Sequence, residues 1–217
     1  MRLNLTIPGL LKRKFTQIYD SNSFHGDQSF SGRGSDLDQT RVVESMLPKL
    51  FKSLAIESIL DVPCGDQNWL RRMDIDFMNY TGVDIVSEII ELNSSLFGSN
   101  KKKYVCLDVT QAVPPISDLV LCRDLLVHLD TRGIRKALRN IKASGATYLL
   151  TTTFTDDRNY KNLPVFTKGV GWRPINFNLD PFNFPQPIKI INEGCTEGEG
   201  RFQDKSLALW KLSELNI

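Results

Sequence analysis

The sequence predicts an α/β domain, a mostly parallel sheet with helices on both faces that is closed by an antiparallel hairpin. Three observations carry this expectation. Short β-branched apolar runs recur with helix-like stretches between them, the alternation that builds a parallel sheet. Consecutive runs end in charged residues, Asp61, Asp84 and Asp108, and a fourth ends in Arg123-Asp124. The last two runs, residues 188–193 and 206–212, flank a Gly-rich turn and read as a hairpin.

Residues 10–20 and 37–53 carry helical periodicity, the second with Leu37, Val42, Val43, Met46, Leu47, Leu50 and Phe51 on one side. Between them, residues 21–35 are polar and rich in Gly and Ser, yet contain Phe24, His25 and Phe30. That stretch is too aromatic for a passive linker and is expected either to cover a ligand crevice or to pack on the surface. The first strand, residues 56–62, is stopped by Pro63 and Gly65, with a helix expected near Gln67. Strands are expected at 80–84, 104–108, 118–122 and 146–153, and helices at 87–97 and 131–142. Residues 156–187 are rich in Pro and aromatic side chains without a period, so they form either a functional loop or an irregular cover packed on the sheet.

Bulk properties narrow the function classes. At 217 residues, with 24% charged and 41% hydrophobic residues, the chain suits one enzyme-sized domain. A net charge of +2, with Lys12-Arg13-Lys14 and Lys101-Lys102-Lys103 as the dense basic runs, gives no broad nucleic-acid footprint. Cys64, Cys106, Cys122 and Cys195 lack paired spacing, so neither a zinc site nor a disulfide framework is expected, and no other metal cluster is evident. Reduced thiols, no signal-peptide pattern and no membrane-length apolar run together predict a cytoplasmic protein.

Polar residues at the carboxyl ends of neighbouring parallel strands line one crevice, so Asp61, Asp84, Asp108 and Arg123 are expected to converge. With the turn Asp61-Val62-Pro63-Cys64-Gly65-Asp66-Gln67, these residues resemble the class I S-adenosylmethionine-dependent methyltransferases over residues 55–155. Further matches, Gly32-Arg33-Gly34-Ser35 with Gln39-Thr40 and Gly171-Trp172-Arg173-Pro174-Ile175-Asn176, resemble a bacterial subgroup of these enzymes. The resemblance implies a Rossmann-like, seven-stranded, mostly parallel sheet. Where the common pattern has three glycines, this turn keeps only Gly65, between Pro63 and Gln67. A dinucleotide pyrophosphate needs close backbone approach at several such points, which argues against an NAD or FAD domain.

By the same resemblance, S-adenosylmethionine is the expected cofactor, with Asp84 and Ile85 at its ribose and Asp108 and Val109 beside its adenine. Asp61, Pro63, Cys64, Gly65, Asn68 and Trp69 are expected to form the remaining cofactor loop, and Arg123 to pair its carboxylate. The division expected is 1–54 for N-terminal helices and cofactor flap, and 55–217 for the cofactor-binding core with an acceptor-side loop at 156–187. The acceptor is expected to be a small molecule, with a sugar or glycan-precursor hydroxyl in view, and Arg33, Trp172, Arg173 and Asn176 are expected to face it. His128 is the candidate general base, or else a packed helix-face histidine; Asp124 is its orienter or the alternative base. A non-catalytic S-adenosylmethionine-binding protein on the same fold is the second reading.

Overall fold

The computed structural model describes residues 9–76, 78–156 and 171–217. Much of the first half of the expected acceptor-side loop, residues 157–170, lies outside them. The elements run α1 (Leu10–Ser21), α2 (Leu37–Ser53), β1 (Ser58–Asp61), β2 (Asn79–Asp84), α3 (Ser87–Phe97), β3 (Lys102–Cys106), β4 (Leu119–Cys122), α4 (Thr131–Ala143), β5 (Tyr148–Thr153), β6 (Lys189–Asn192) and β7 (Ser206–Lys211). The seven strands form one sheet in the order β3-β2-β1-β4-β5-β7-β6. β1 to β5 pair in parallel, whereas β7 is antiparallel to both β5 and β6.

Period-2 alternation divides the side chains between two apolar layers. Leu60, Val120, Leu149, Ala208 and Trp210 point to the layer that holds Ile134, Ala137, Leu138 and Ile141 of α4. Ile59, Leu119, Leu121, Leu150, Leu207 and Leu209 point to the other, beneath Val43, Leu47 and Phe51 of α2. Burying each such side chain contributes about 1.5–3 kcal/mol, so the two helices fix the sheet from opposite sides. Asp130 starts α4 by accepting the Gly133 N–H at 2.6 Å, a cap typically contributing about 1 kcal/mol. Asp118 aligns β1 with β4, its Oδ2 accepting the N–H groups of Glu57 and Ser58 at 2.9 and 2.8 Å.

Three departures from the sequence expectation matter for the site. No α-helix follows β1; only a 3₁₀ turn, Leu70–Arg72, is present. Gly65 and Gln67 both have positive φ, 50° and 60°, which a right-handed helix start does not accept. β3 stops at Cys106, so Asp108 lies in the turn beyond it rather than on the strand. The aromatic residues in the described part of the late loop form a packed cover: Phe177, Phe182 and Phe184 are buried, and Phe177 stacks on Phe184 at 5.1 Å with both rings against Trp210.

Candidate active site

The carboxyl ends of β1, β2 and β4, together with α1 and the segment after it, enclose a cavity of about 1070 Å³ of open space including its mouth. Asp61, Pro63, Cys64, Gly65, Trp69, Asp84, Ile85, Asp108, Val109 and Arg123 all line it, as do Asp124 and His128. Topology brings them together: β1 lies between β2 and β4, and the turn after β3 adds Asp108 from the outer side. Asn68 sits behind the wall, donating to the Ser35 carbonyl at 3.1 Å.

Asp84, buried at the end of β2, accepts the N–H of Gly65 at 3.1 Å and that of Val86 at 3.0 Å. Each oxygen retains a lone pair for a further donor. Burial pushes its pKa up to about 6, against the pull of those backbone donors. Asp61 accepts the Tyr80 hydroxyl at 2.7 Å. Burial again dominates and lifts it to about 7, with Asp84 adding to the rise and Tyr80 and Arg123 opposing it. Tyr80 also meets Gln67, whose Oε1 accepts the Tyr104 hydroxyl at 3.0 Å. The left-handed backbone at Gln67 thus serves to aim an amide inward. Asp108 folds back onto Thr110, its Oδ1 accepting the amide N–H and the hydroxyl at 2.8 and 2.7 Å.

The segment after α1 is fastened to this loop. Asp66 accepts from Ser29 Oγ at 2.9 Å and from the Phe30 N–H at 2.8 Å. Gly65 approaches so closely that a Cβ there would come within 2.1 Å of Ser31 Oγ. Phe24, Phe30, Ser31 and Ser35 consequently form part of the cavity wall. Nothing in a single sequence singles out Asp66, because its partners are a serine hydroxyl and a backbone amide 36 or 37 residues earlier.

At the end of β4 lies a buried charge group. Arg123 donates through Nη2 to Glu193 Oε2 and to the Gly34 carbonyl, both at 2.7 Å. Its guanidinium also lies 5.4 Å from the centre of the Trp69 ring. Lys205 Nζ lies 2.6 Å from Asp124 Oδ2 and 3.6 Å from Glu193 Oε2. Sequence reasoning missed Glu193 and Lys205, which reach the site from the C-terminal hairpin. The Gly32–Ser35 motif docks on the same group, since a Cβ on Gly34 would meet Asp124, Glu197 and Lys205 at 3.3 Å.

His128 ends the 3₁₀ turn Leu126–His128, with Nδ1 2.8 Å from the Gly171 carbonyl. A carbonyl only accepts, so Nδ1 carries the proton and Nε2 is left with its lone pair. Burial lowers the His128 pKa, against the opposing effects of the Gly171 bond and Asp124.

The four residues expected at the acceptor do not line the cavity. Arg33 is exposed and pairs with Asp27 at 3.7 Å. Trp172 packs edge-on against Phe202 at 4.6 Å. Arg173 is buried beside Thr131 at 3.5 Å, and Asn176 donates to the Asp156 carbonyl at 3.0 Å. They sit beyond the wall, where Gly171 is the residue of that stretch that reaches His128. His25 is exposed and also outside the lining. Among the described residues, no cluster of His, Cys, Asp or Glu has a metal-binding arrangement, and no helix is long and apolar enough to cross a membrane.

The cavity suits S-adenosylmethionine. Its buried carboxylates match ribose hydroxyls and an ammonium, and Gly65 supplies close backbone approach without a multi-glycine phosphate cradle. Residues 60–149 match the family model for a methyltransferase domain. No curated protein sequence matches the chain. Among solved structures, the chain is similar to the N-methyltransferase NodS from Bradyrhizobium japonicum WM9 in complex with S-adenosylhomocysteine, at 16% identity over 91% of this chain and 98% of that one, with a TM-score of 0.64. It is also similar to the 1,6-didemethyltoxoflavin-N1-methyltransferase of Burkholderia thailandensis, at 15% identity over 97% and 92%, with a TM-score of 0.62. Human N-acetylserotonin methyltransferase is similar at 13% identity over 94% and 60%, with a TM-score of 0.61. At these identities the likeness in structure is one of fold. The chain thus shares the Rossmann-like fold of these methyltransferases, and its residues 60–149 match a methyltransferase domain.

Proposed function

We propose that the chain transfers the methyl group of S-adenosylmethionine to a hydroxyl of a small molecule, with His128 as the base. The observation that carries this reading is the placement of Asp84 and of a histidine with a free Nε2 on the wall of one cavity. Bound there, the cofactor supplies an electrophilic methyl with a good leaving group, so placement of the acceptor and exclusion of water provide most of the acceleration. Asp84 would hold the ribose, the turn 61–69 the methionine portion, and Asp108 and Val109 the adenine side. Asp124, paired with Lys205 and Arg123, is a fixed anion and a weak base at neutral pH, so proton removal falls to His128.

A sugar or glycan-precursor hydroxyl remains in the acceptor set to be tested, together with amines, since NodS and the toxoflavin enzyme are N-methyltransferases by name. The four free cysteines fit a cytoplasmic setting. The test is transfer of radiolabelled methyl to a panel of phenols, sugars and amines by the wild type and by His128→Gln. Binding of S-adenosylhomocysteine without transfer to any acceptor would make the chain a non-catalytic binding protein. Equal turnover by His128→Gln would remove the base.

A further inference from the structure

The two halves of the cavity wall differ in chemistry. The carboxylates come from strand ends and the turns beyond them. Opposite them, α1 contributes Leu11, Phe15, Ile18 and Tyr19, all lining the cavity. These positions are spaced i, i+4, i+7 and i+8, the apolar stripe of an amphipathic helix. Of the four, Ile18 is fully buried and Leu11 packs partly on the sheet core, while Phe15 and Tyr19 are half-buried along the cavity.

His128 belongs to the apolar half. The Phe24 ring lies 4.9 Å from its ring at 38°, and Phe15 meets it edge-on at 6.3 Å. Phe24 is seated by its own loop: Gly32, at φ 100°, lets the chain pass where a Cβ would come 2.7 Å from Phe24 Cβ. Asp124 also lines this part of the cavity, and its oxygens are taken by Lys205, Arg123 and Thr152. A polyhydroxylated ligand placed here would surrender several hydrogen bonds to water and find aromatic rings in return. A flat apolar ring would instead gain edge and face contacts with Phe15 and Phe24.

We propose that the acceptor is a planar, largely apolar ring compound with one ionisable hydroxyl, docked against Phe15 and Phe24 with that hydroxyl toward Nε2 of His128. This rests on the methyltransferase reading above. The O–H proton passes to Nε2 while an oxygen lone pair forms the new C–O bond. The methyl–sulfur bond breaks with its electron pair left on sulfur, yielding the methyl ether and S-adenosylhomocysteine.

The experiment uses the full chain with 1-naphthol and 8-hydroxyquinoline as aromatic probes, and glucose and N-acetylglucosamine as sugar probes. Calorimetry first measures S-adenosylhomocysteine binding, and then 1-naphthol binding to the loaded protein. The expected result is naphthol binding and methylation with kcat/KM at least about 10-fold above either sugar. Phe24→Ala and the milder Phe24→Leu and Phe15→Leu should each raise KM for naphthol, with S-adenosylhomocysteine affinity and melting temperature held. Methylation of a sugar in preference to both aromatics, no naphthol binding to the loaded protein, or unchanged KM in all the folded variants would overturn the proposal and leave the cofactor assignment standing. Loss of S-adenosylhomocysteine binding by the wild type would instead overturn the methyltransferase reading itself.

Discussion

Lys205, on the approach to β7, places its ammonium 2.6 Å from the carboxylate of Asp124 at the end of β4; Asp124 also pairs with Arg123 and Lys205 with Glu193, and Arg123 and Glu193 pair with each other. Burial would raise the Asp124 pKa, but Lys205 and Arg123 overcome it and hold the carboxyl down at about 2. Removing one partner from such a group leaves an uncompensated buried charge. Lys205→Met should therefore destabilise the fold by about 3 kcal/mol or more, measured by urea unfolding. Because the Asp124 pKa is depressed, its contribution is complete above the ordinary carboxylate range and is lost as pH falls toward 2. A Lys205→Met protein as stable as the wild type would show that the group is solvated.

Asp84 gives the second prediction. With its carboxylate removed, ribose hydroxyls lose a charged partner, and Asp84→Ala should weaken S-adenosylhomocysteine binding by about 1.5–3 kcal/mol. Calorimetry reads this directly, and unchanged affinity refutes the assignment.

The same carboxylates predict a pH dependence. Burial raises Asp84 to about 6 and Asp61 to about 7. In the free protein, raised carboxyl pKa values favour folding at low pH, an advantage lost as pH climbs through about 6 to 7. A cationic ligand favours the ionised forms and reverses this. Affinity for S-adenosylmethionine should then rise several-fold between about pH 5.5 and about pH 8. A flat profile across that interval would mean that neither carboxylate titrates there.

His128 bears on rate. His128→Gln should lower turnover by about 10²- to 10⁴-fold with cofactor affinity nearly intact, since a base acts mainly in the transition state. Its pKa is lowered by burial, so the neutral base persists below the usual histidine range. The acid limb of kcat should accordingly fall below about pH 6.5. A limb above that value would point to a different base.

Asp66 governs the covering segment. Asp66→Ala deletes the acceptors for Ser29 and Phe30, and amide exchange over residues 24–35 should speed up by about 10-fold or more, with β4 and β5 unaffected. Equal exchange in both proteins would show that the segment is held by its other contacts.

Much of this site was legible in the sequence because its parts are local. A strand end with an acidic residue is visible within a few positions, so Asp61 and Asp84 could be read directly, and β2, α3, α4 and the hairpin fall close to where periodicity puts them. The acceptor side was not legible in this way. Trp172, Arg173 and Asn176 carry the residue types that bind ligands, yet the Phe202 ring, the Thr131 hydroxyl at the start of α4 and the Asp156 carbonyl engage them. Helical periodicity over residues 10–20 does not say what the apolar stripe of α1 faces, and only the tertiary arrangement places Phe15 and Tyr19 on the cavity. Glu193 and Lys205 lie about 70 to 80 residues from their partners, beyond any local pattern. The missing helix after β1 traces to Gln67, whose left-handed backbone a polar residue type alone does not announce.

The reach of the hairpin into the site sets an order on maturation. During synthesis, β1 to β5 and their helices leave the ribosome before residues 193 and 205, which carry the counter-charges for Arg123 and Asp124. Until those arrive, Arg123 and Asp124 at the end of β4 lack Glu193 and Lys205 as counter-charges, and the guanidinium that meets the Gly34 carbonyl is not yet fixed from that side. The nascent sheet can therefore assemble early, while the cavity acquires its final shape only when the last two strands close on it.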